Sequence, residues 1–176
     1  LDKILGQSSD KYIDLLIMSH PHVDHFGGFV EVLKRYEVGA FIYNGQRRDA
    51  ERGAVPLWTE LESLLTQKQI PLMVLDEKDY IRYQNTSLAV LSPSSSALTH
   101  SVDEASLVLM LDSHNNKVLF TGDLGFYGES LLLARGYDLT ADILKVGHHG
   151  SKNSSSINFI KAVNPKISVI GVGQNR

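Results

Sequence analysis

The chain contains no cysteine. That excludes disulfide bridges and thiolate metal ligands, and leaves any metal chemistry to nitrogen and oxygen donors. No apolar run approaches the roughly 20 residues that cross a bilayer, and no signal-peptide pattern is present. Nothing is proline-rich, glycine-rich or repetitive on the scale of a linker or an internal repeat; the polar stretch Pro93–Ser96 is too short to separate domains. A basic excess is also lacking. The formal charge of −3 is not that of a strong nucleic-acid binder, so a polyanionic partner has to be met by local charge. Arg47, Arg48 and Arg52 cluster after the short apolar segment Phe41-Ile42-Tyr43. A solvated basic loop is the plainer reading of these arginines, and a substrate-facing rim is the other. What remains is an ordinary globular composition, 43% apolar and 21% charged over 176 residues, which suits a single domain, residues 1–176, with a sizeable core.

Against that background the histidines are unevenly placed. Three of the seven fall in the stretch His20-Pro21-His22-Val23-Asp24-His25, followed at once by Gly27-Gly28. The apolar run Leu15–Met18 before it reads as a buried strand, and Phe26–Tyr36 after it as a helix with an apolar face at Phe29, Val30, Leu33 and Tyr36. The cluster is therefore expected on a strand-to-helix loop, where rigid elements aim side chains at one point. Neutral imidazoles and carboxylates are the usual ligands of zinc and of other borderline divalent metals. In an extended or turning segment His20 and His22 point the same way, Asp24 continues that alternation, and His25 faces elsewhere. One metal can then take His20 and His22, and a second Asp24 and His25.

Two further strand ends carry similar chemistry. Val118-Leu119-Phe120 runs into Thr121-Gly122-Asp123-Leu124-Gly125, and Ile143–Val146 runs into Gly147-His148-His149-Gly150-Ser151. Three strands thus end in metal-type or acid–base residues, and the ends of a sheet are where such sites collect. The serines at 154–156 precede Ile157–Val163, an amphipathic segment that reads as a helix; they suit an N-cap. With His148, His149 and Lys152 nearby, that helix start can also be read as a phosphate cradle.

The remaining pattern alternates strand and helix. A short strand is expected near Ala40–Tyr43, and a helix from about Pro56 with Leu57, Trp58, Leu61, Leu64 and Leu65 on its buried side. Strands are expected at Pro71–Leu75, Tyr80–Tyr83 and Ser87–Leu91, then a hairpin of Ser106–Leu111 with Lys117–Phe120. His114, in the intervening turn, is most simply a turn residue. Mixed elements in this order suit a layered α/β sandwich.

The motifs HPHVDH, TGD and HHGS, in this order, resemble those of metallo-β-lactamase-fold hydrolases. Within that superfamily the stretches DLLIMSHPHVDHFGG, EASLVLMLDSHNNKVLFTGDLG, ADILKVGHHGSKNSSS and NPKISVIGVGQNR are most similar to the hydrolase domain of ComEC competence proteins and their stand-alone relatives. The resemblance implies a four-layer αββα sandwich, here truncated at both ends: N-terminal strands would precede Leu1, and a loop bearing a further histidine would follow Arg176. It implies two divalent metal ions, zinc foremost, with manganese or iron as alternatives. His20 and His22 would bind the first, Asp24 and His25 the second, and Asp123 would bridge them. His149 and His148 would complete the shell or contact substrate, in an order the resemblance leaves open. Asp103 and His100 lie nearest the place where many members carry one more ligand, although a polar loop is the plainer reading of both.

The implied reaction is hydrolysis of a phosphoester, with DNA, single-stranded DNA in particular, as the substrate the resemblance points to. Asp24, His148 and His149 would act in proton transfer or on the reacting oxygens, and Ser151, Lys152 and Ser154 would face the substrate. Hydrolysis of a small phosphoester, thioester, lactone or β-lactam is the alternative within the fold, and a non-catalytic, metal-stabilised binding module the alternative outside catalysis. This segment itself makes no membrane contact in that reading. A ComEC-like parent would be embedded in the membrane with the domain outside the cytoplasm, and a stand-alone relative would be secreted or anchored.

Overall fold

The computed structural model describes residues 11–46, 54–94 and 101–173. Arg47, Arg48, Arg52, His100, the end of the Pro93–Ser96 stretch and the last three residues lie outside them. The chain divides into two compact units, Leu1–Val74 and Leu75–Arg176.

In the first unit, β1 (Tyr12–Ile17), α1 (Val23–Arg35), β2 (Glu37–Tyr43), α2 (Ala54–Gln67) and β3 (Leu72–Val74) build a parallel three-stranded sheet in the order β1-β2-β3. Both crossovers are helices, as parallel strands require. Phe26, Val30 and Leu33 of α1 and Trp58, Leu61 and Leu65 of α2 form the core with Leu16, Met18 and Phe41 of the sheet side. The Phe26 and Trp58 rings meet edge to face, their centroids 5.1 Å apart. Gly27 has a specific reason to be glycine. A Cβ there would lie 3.1 Å from Leu57 Cδ2, so the residue lets α1 and α2 approach closely. The outer strand β3 leaves Leu72, Met73 and Val74 exposed.

The second unit is a six-stranded sheet in chain order, β4 (Tyr80–Tyr83), β5 (Thr86–Ser92), β6 (Val108–Ser113), β7 (Asn116–Phe120), β8 (Ile143–Lys145) and β9 (Ile167–Val169). β4 to β7 pair antiparallel, while β7, β8 and β9 are parallel. The β6–β7 hairpin turns at His114 and Asn115, both at positive φ (51° and 63°), as a two-residue turn demands. His114 is thus a turn residue. Two helices, α3 (Phe126–Ala134) and α4 (Ile157–Val163), pack their apolar residues with Val108, Leu119 and Leu144 of the sheet into a second core.

Most strand and helix positions match the expectations above, with three main differences, of which one is strand β9 (Ile167–Val169), not expected from the sequence. Helix α1 begins at Val23, so Asp24 and His25 belong to its first turn and not to a loop. The helix accepts this start without a Ser, Thr or Asp cap: the N-cap is His22, whose carbonyl receives the amides of His25 (2.9 Å) and Phe26 (3.1 Å). Helix α3 had no counterpart in the reading of the sequence. Its run Leu131-Leu132-Leu133 is apolar around the helix and gives no single stripe to recognise.

Candidate metal centre

In the first unit, β1 delivers the chain to the site, and the Met18 amide bonds to the Ile42 carbonyl at 2.9 Å, prolonging the sheet by one residue. The backbone then turns through Ser19–Pro21 into α1. His20 is fully buried. Its Nε2 lies 3.1 Å from Nδ1 of His22, whose side chain makes no capping bond. His25, one helical turn in, brings its ring to 4.0 Å from that of His20, centroid to centroid. Its Nε2 is 3.7 Å from Oδ2 of Asp24. His20 thus lies beside both His22 and His25, and the approach of Asp24 to His25 is set by helical geometry and not by strand alternation.

Ser19, a residue the sequence reading passed over, organises this group. Its hydroxyl lies 3.1 Å from His20 Nδ1 and 3.3 Å from His25 Nδ1. The hydroxyl oxygen has two lone pairs and can accept from both Nδ1–H groups, which leaves each Nε2 its lone pair. Both Nδ1 atoms are thereby engaged, and the Nε2 atoms are the ones turned to His22 and to Asp24. A partner on the far nitrogen is the usual way a metal-binding imidazole is oriented. The donor set fits a divalent metal. Zn–N bonds of about 2.05 Å at tetrahedral angles place two nitrogens roughly 3.3 Å apart, close to the 3.1 Å between the His20 and His22 nitrogens.

In the second unit, Asp123 and His148 follow adjacent parallel strands. Phe120 pairs with Lys145 in register, and Asp123 and His148 follow those two residues by the same offset. The turn between β7 and Asp123 uses Gly122 at φ 53°, and its carbonyl accepts the His148 amide at 3.2 Å. Thr121 Oγ1 donates to the Lys145 carbonyl at 2.8 Å. These bonds lock the two loops edge to edge. One oxygen of buried Asp123, Oδ2, then lies 3.6 Å from His149 Nε2 and 3.9 Å from His148 Nε2. On the far side His149 Nδ1 is 2.8 Å from the Gly171 carbonyl. A carbonyl can only accept, so that nitrogen carries the proton and Nε2 presents its lone pair. His148 instead turns Nδ1 toward Asp103 Oδ2, 3.8 Å away. Both histidines hold positive φ, 45° and 52°.

The segment just before β6 supplies three supports that were not legible in the sequence. Beside Asp103, Glu104 accepts the amides of Gly125 (3.3 Å) and Gly128 (2.7 Å), the start of α3. Ser106 Oγ receives the Asp123 amide at 3.1 Å. A Cβ on Gly128 would lie 2.2 Å from Leu124 Cδ1 and 2.8 Å from Glu104 Oε2, so the glycine makes room for the carboxylate.

Two expectations about the loop after the histidines are corrected. Ser154 does not face a substrate: it is buried, and its hydroxyl is directed to the carbonyls of Gly147 (2.9 Å) and Ser151 (3.0 Å). The phosphate cradle is occupied from within, because the amides of Ser155 and Ser156 are bonded to the carboxylate of Glu129. Ser156 caps α4 through its side chain, which accepts from Phe159 N. Lys152 is exposed and Ser151 half-buried. Lys145, the other lysine near the motif, donates to the Val146 carbonyl at 2.9 Å.

The family model described as the metallo-beta-lactamase superfamily matches residues 7–173. The chain belongs to the metallo-β-lactamase superfamily. It is 30% identical over 167 residues to ComE operon protein 3 of Bacillus subtilis, an alignment that spans 94% of this chain and 20% of that protein. It is 29% identical over 177 residues to competence protein ComA of Neisseria gonorrhoeae, covering 96% of this chain and 21% of that one. The chain thus spans about a fifth of the length of these relatives. Among solved structures, the metallo-β-lactamase fold protein YhfI from Bacillus subtilis superposes with a TM-score of 0.58 at 13% identity, over 97% of this chain and 71% of that one. The mixed α/β architecture is that of this fold, and the domain is a metal-dependent hydrolase of the superfamily, related to competence proteins. No helix among the described residues is long and apolar enough to cross a membrane.

Proposed function

We propose that the domain is a phosphodiesterase that cleaves DNA with the help of two divalent metal ions, zinc foremost. His20, His22, Asp24 and His25 of the first unit would hold metal, and so would Asp123 and His149 of the second. The observation that carries the reading is the convergence of both ring nitrogens, His148 Nε2 and His149 Nε2, on one buried Asp123 oxygen, with His149 held in the ligand tautomer by Gly171. Similarity to competence proteins over more than nine-tenths of the chain supports DNA as the substrate. It also supports a place for the parent protein at the membrane, with this domain outside the cytoplasm.

The metals, when bound, supply a nucleophile at neutral pH and stabilise charge on the phosphoryl oxygens. The chain's own residues do the rest. Asp24, exposed beside His25, takes up a proton. His148 is not fixed by a carbonyl and is half-exposed. It hydrogen-bonds a non-bridging oxygen or returns a proton to the leaving one. Lys152 and Ser151 meet the phosphate backbone from the same loop.

The test is cleavage of end-labelled single-stranded DNA by the metal-loaded chain beside its Asp123→Asn form. Cleavage by the parent and its loss in the variant, with circular dichroism unchanged, is the expected result. A parent that holds two metals but leaves the DNA intact would overturn the nuclease reading in favour of a small phosphoester or acyl substrate.

A further inference from the structure

We propose that Glu129 is a positioning residue for this site: a buried carboxylate strut that holds the Gly147–Ser156 loop, and through it the backbone of His148 and His149, in a left-handed conformation. Its link to catalysis rests on the assignment of those histidines above. Glu129 stands on α3 at 2% exposure. Glutamate is almost never buried so completely unless something answers its charge. Here the answering groups are main-chain amides, Ser155 N at Oε1 and Ser156 N at Oε2, the latter at 2.8 Å. Hydrogen bonds to an ionised carboxylate are roughly twice as strong as neutral ones, so this is the firmest anchor at the loop's far end.

The loop needs such an anchor. His148, His149 and Ser155 have φ of 45°, 52° and 61°, a region that side chains with a Cβ occupy at a cost. Such conformations persist only where the surroundings over-determine them. The loop's own bonds, Ser151 N to the His148 carbonyl at 2.8 Å and Ser154 Oγ to Gly147 and Ser151, close it on itself. Two contacts tie it to α3: Phe126 N to the Asn153 carbonyl at 2.9 Å, and the Glu129 carboxylate. The carboxylate reaches backbone only, so it acts on the reaction through loop geometry.

Glu129→Gln keeps the shape but replaces one acceptor oxygen by an NH2 group facing an N–H. In the metal-free chain, amide hydrogen exchange is expected to show Ser155 and Ser156 strongly protected in the parent and at least about 10-fold faster in the variant. The Cα shifts of His148 and His149 are expected to move away from left-handed values. With Co2+ as the probe metal, the visible spectrum should change, and kcat on DNA should fall about 10–100-fold, as for other groups that orient ligands from behind, with KM little altered. Unprotected Ser155 and Ser156 amides in the parent itself would overturn the strut, whether or not the variant folds. Unchanged histidine shifts and Co2+ spectrum in a folded variant would overturn the positioning role. A Co2+ spectrum that responds to Glu129→Gln in a protein that cuts no DNA would uphold the strut while removing the nuclease reading.

Discussion

The residues of this site divide into those whose chemistry is written in the local sequence and those whose role depends on a neighbour far along the chain. His20, His22, Asp24, His25, Asp123, His148 and His149 belong to the first kind: their types and spacing announce metal and proton chemistry before any fold is known. Ser19, Glu104, Ser106 and Glu129 belong to the second. Each acts by a hydrogen bond that exists only once the chain has folded, to imidazole nitrogens or to main-chain amides, and serine and glutamate are too common to stand out. Only the position of Ser19, directly before the histidines, offered a hint. Because one hydroxyl sets the ring orientation of two histidines, Ser19→Ala should weaken metal binding by about 10–100-fold while leaving the apolar core untouched. A zinc titration against a competing chelator, with thermal unfolding of the metal-free forms as control, would check it; equal affinity in the two proteins would mean that ring orientation is set elsewhere.

At the level of elements, hydrophobic period was a good guide where one face is buried and a poor one elsewhere. Helix α2 was legible from its stripe and strand β7 from the apolar run Val118-Leu119-Phe120. The start of α1 was not, since its first turn carries a metal-type carboxylate and imidazole where a conventional cap signal would stand, and α3 was not, since its apolar residues form no single stripe. The parallel part of the second sheet also has a tie that periodicity does not reveal. Asp142, just before β8, accepts the Lys117 amide of β7 at 2.8 Å and the Lys166 ammonium at 2.6 Å. The Lys166 ammonium, followed by that amide, holds the Asp142 carboxyl below its ordinary range. A carboxylate with a depressed folded pKa stabilises the fold above its unfolded pKa, near 3.9. The stabilisation fades as pH falls through the lower folded value. Asp142→Asn should therefore lower the melting temperature at neutral pH, with the gap to the parent closing progressively below about pH 4. Melting curves at pH 7, 5, 4 and 3 would test this, and a gap that did not narrow in acid would assign the effect to packing.

For the whole molecule, two compact units each contribute a group of nitrogen and oxygen donors, so a metal that binds only the folded chain should also stabilise it. With free metal at about 100 times Kd the gain is ~2.7 kcal/mol. For a chain of this size that corresponds to a fall of roughly 5–10 °C in melting temperature on chelation. Asp123→Asn should show a smaller fall on chelation than the parent. Calorimetry with EDTA and after zinc is restored would measure both, and a parent indifferent to EDTA would show that its stability is independent of metal.

The pairing of Phe120 with Lys145 has one more implication. Asp123 and His148 take their separation from the register of β7 on β8, and that register is held by Leu119 and Leu144, both wholly buried. A slip of either strand by a single residue would turn that strand's leucine out of the core, at about 1.5–3 kcal/mol for the side chain exposed. Buried hydrocarbon thus shares with the Asp142 carboxylate and the Thr121–Lys145 and Gly122–His148 hydrogen bonds in setting how far apart Asp123 and His148 stand.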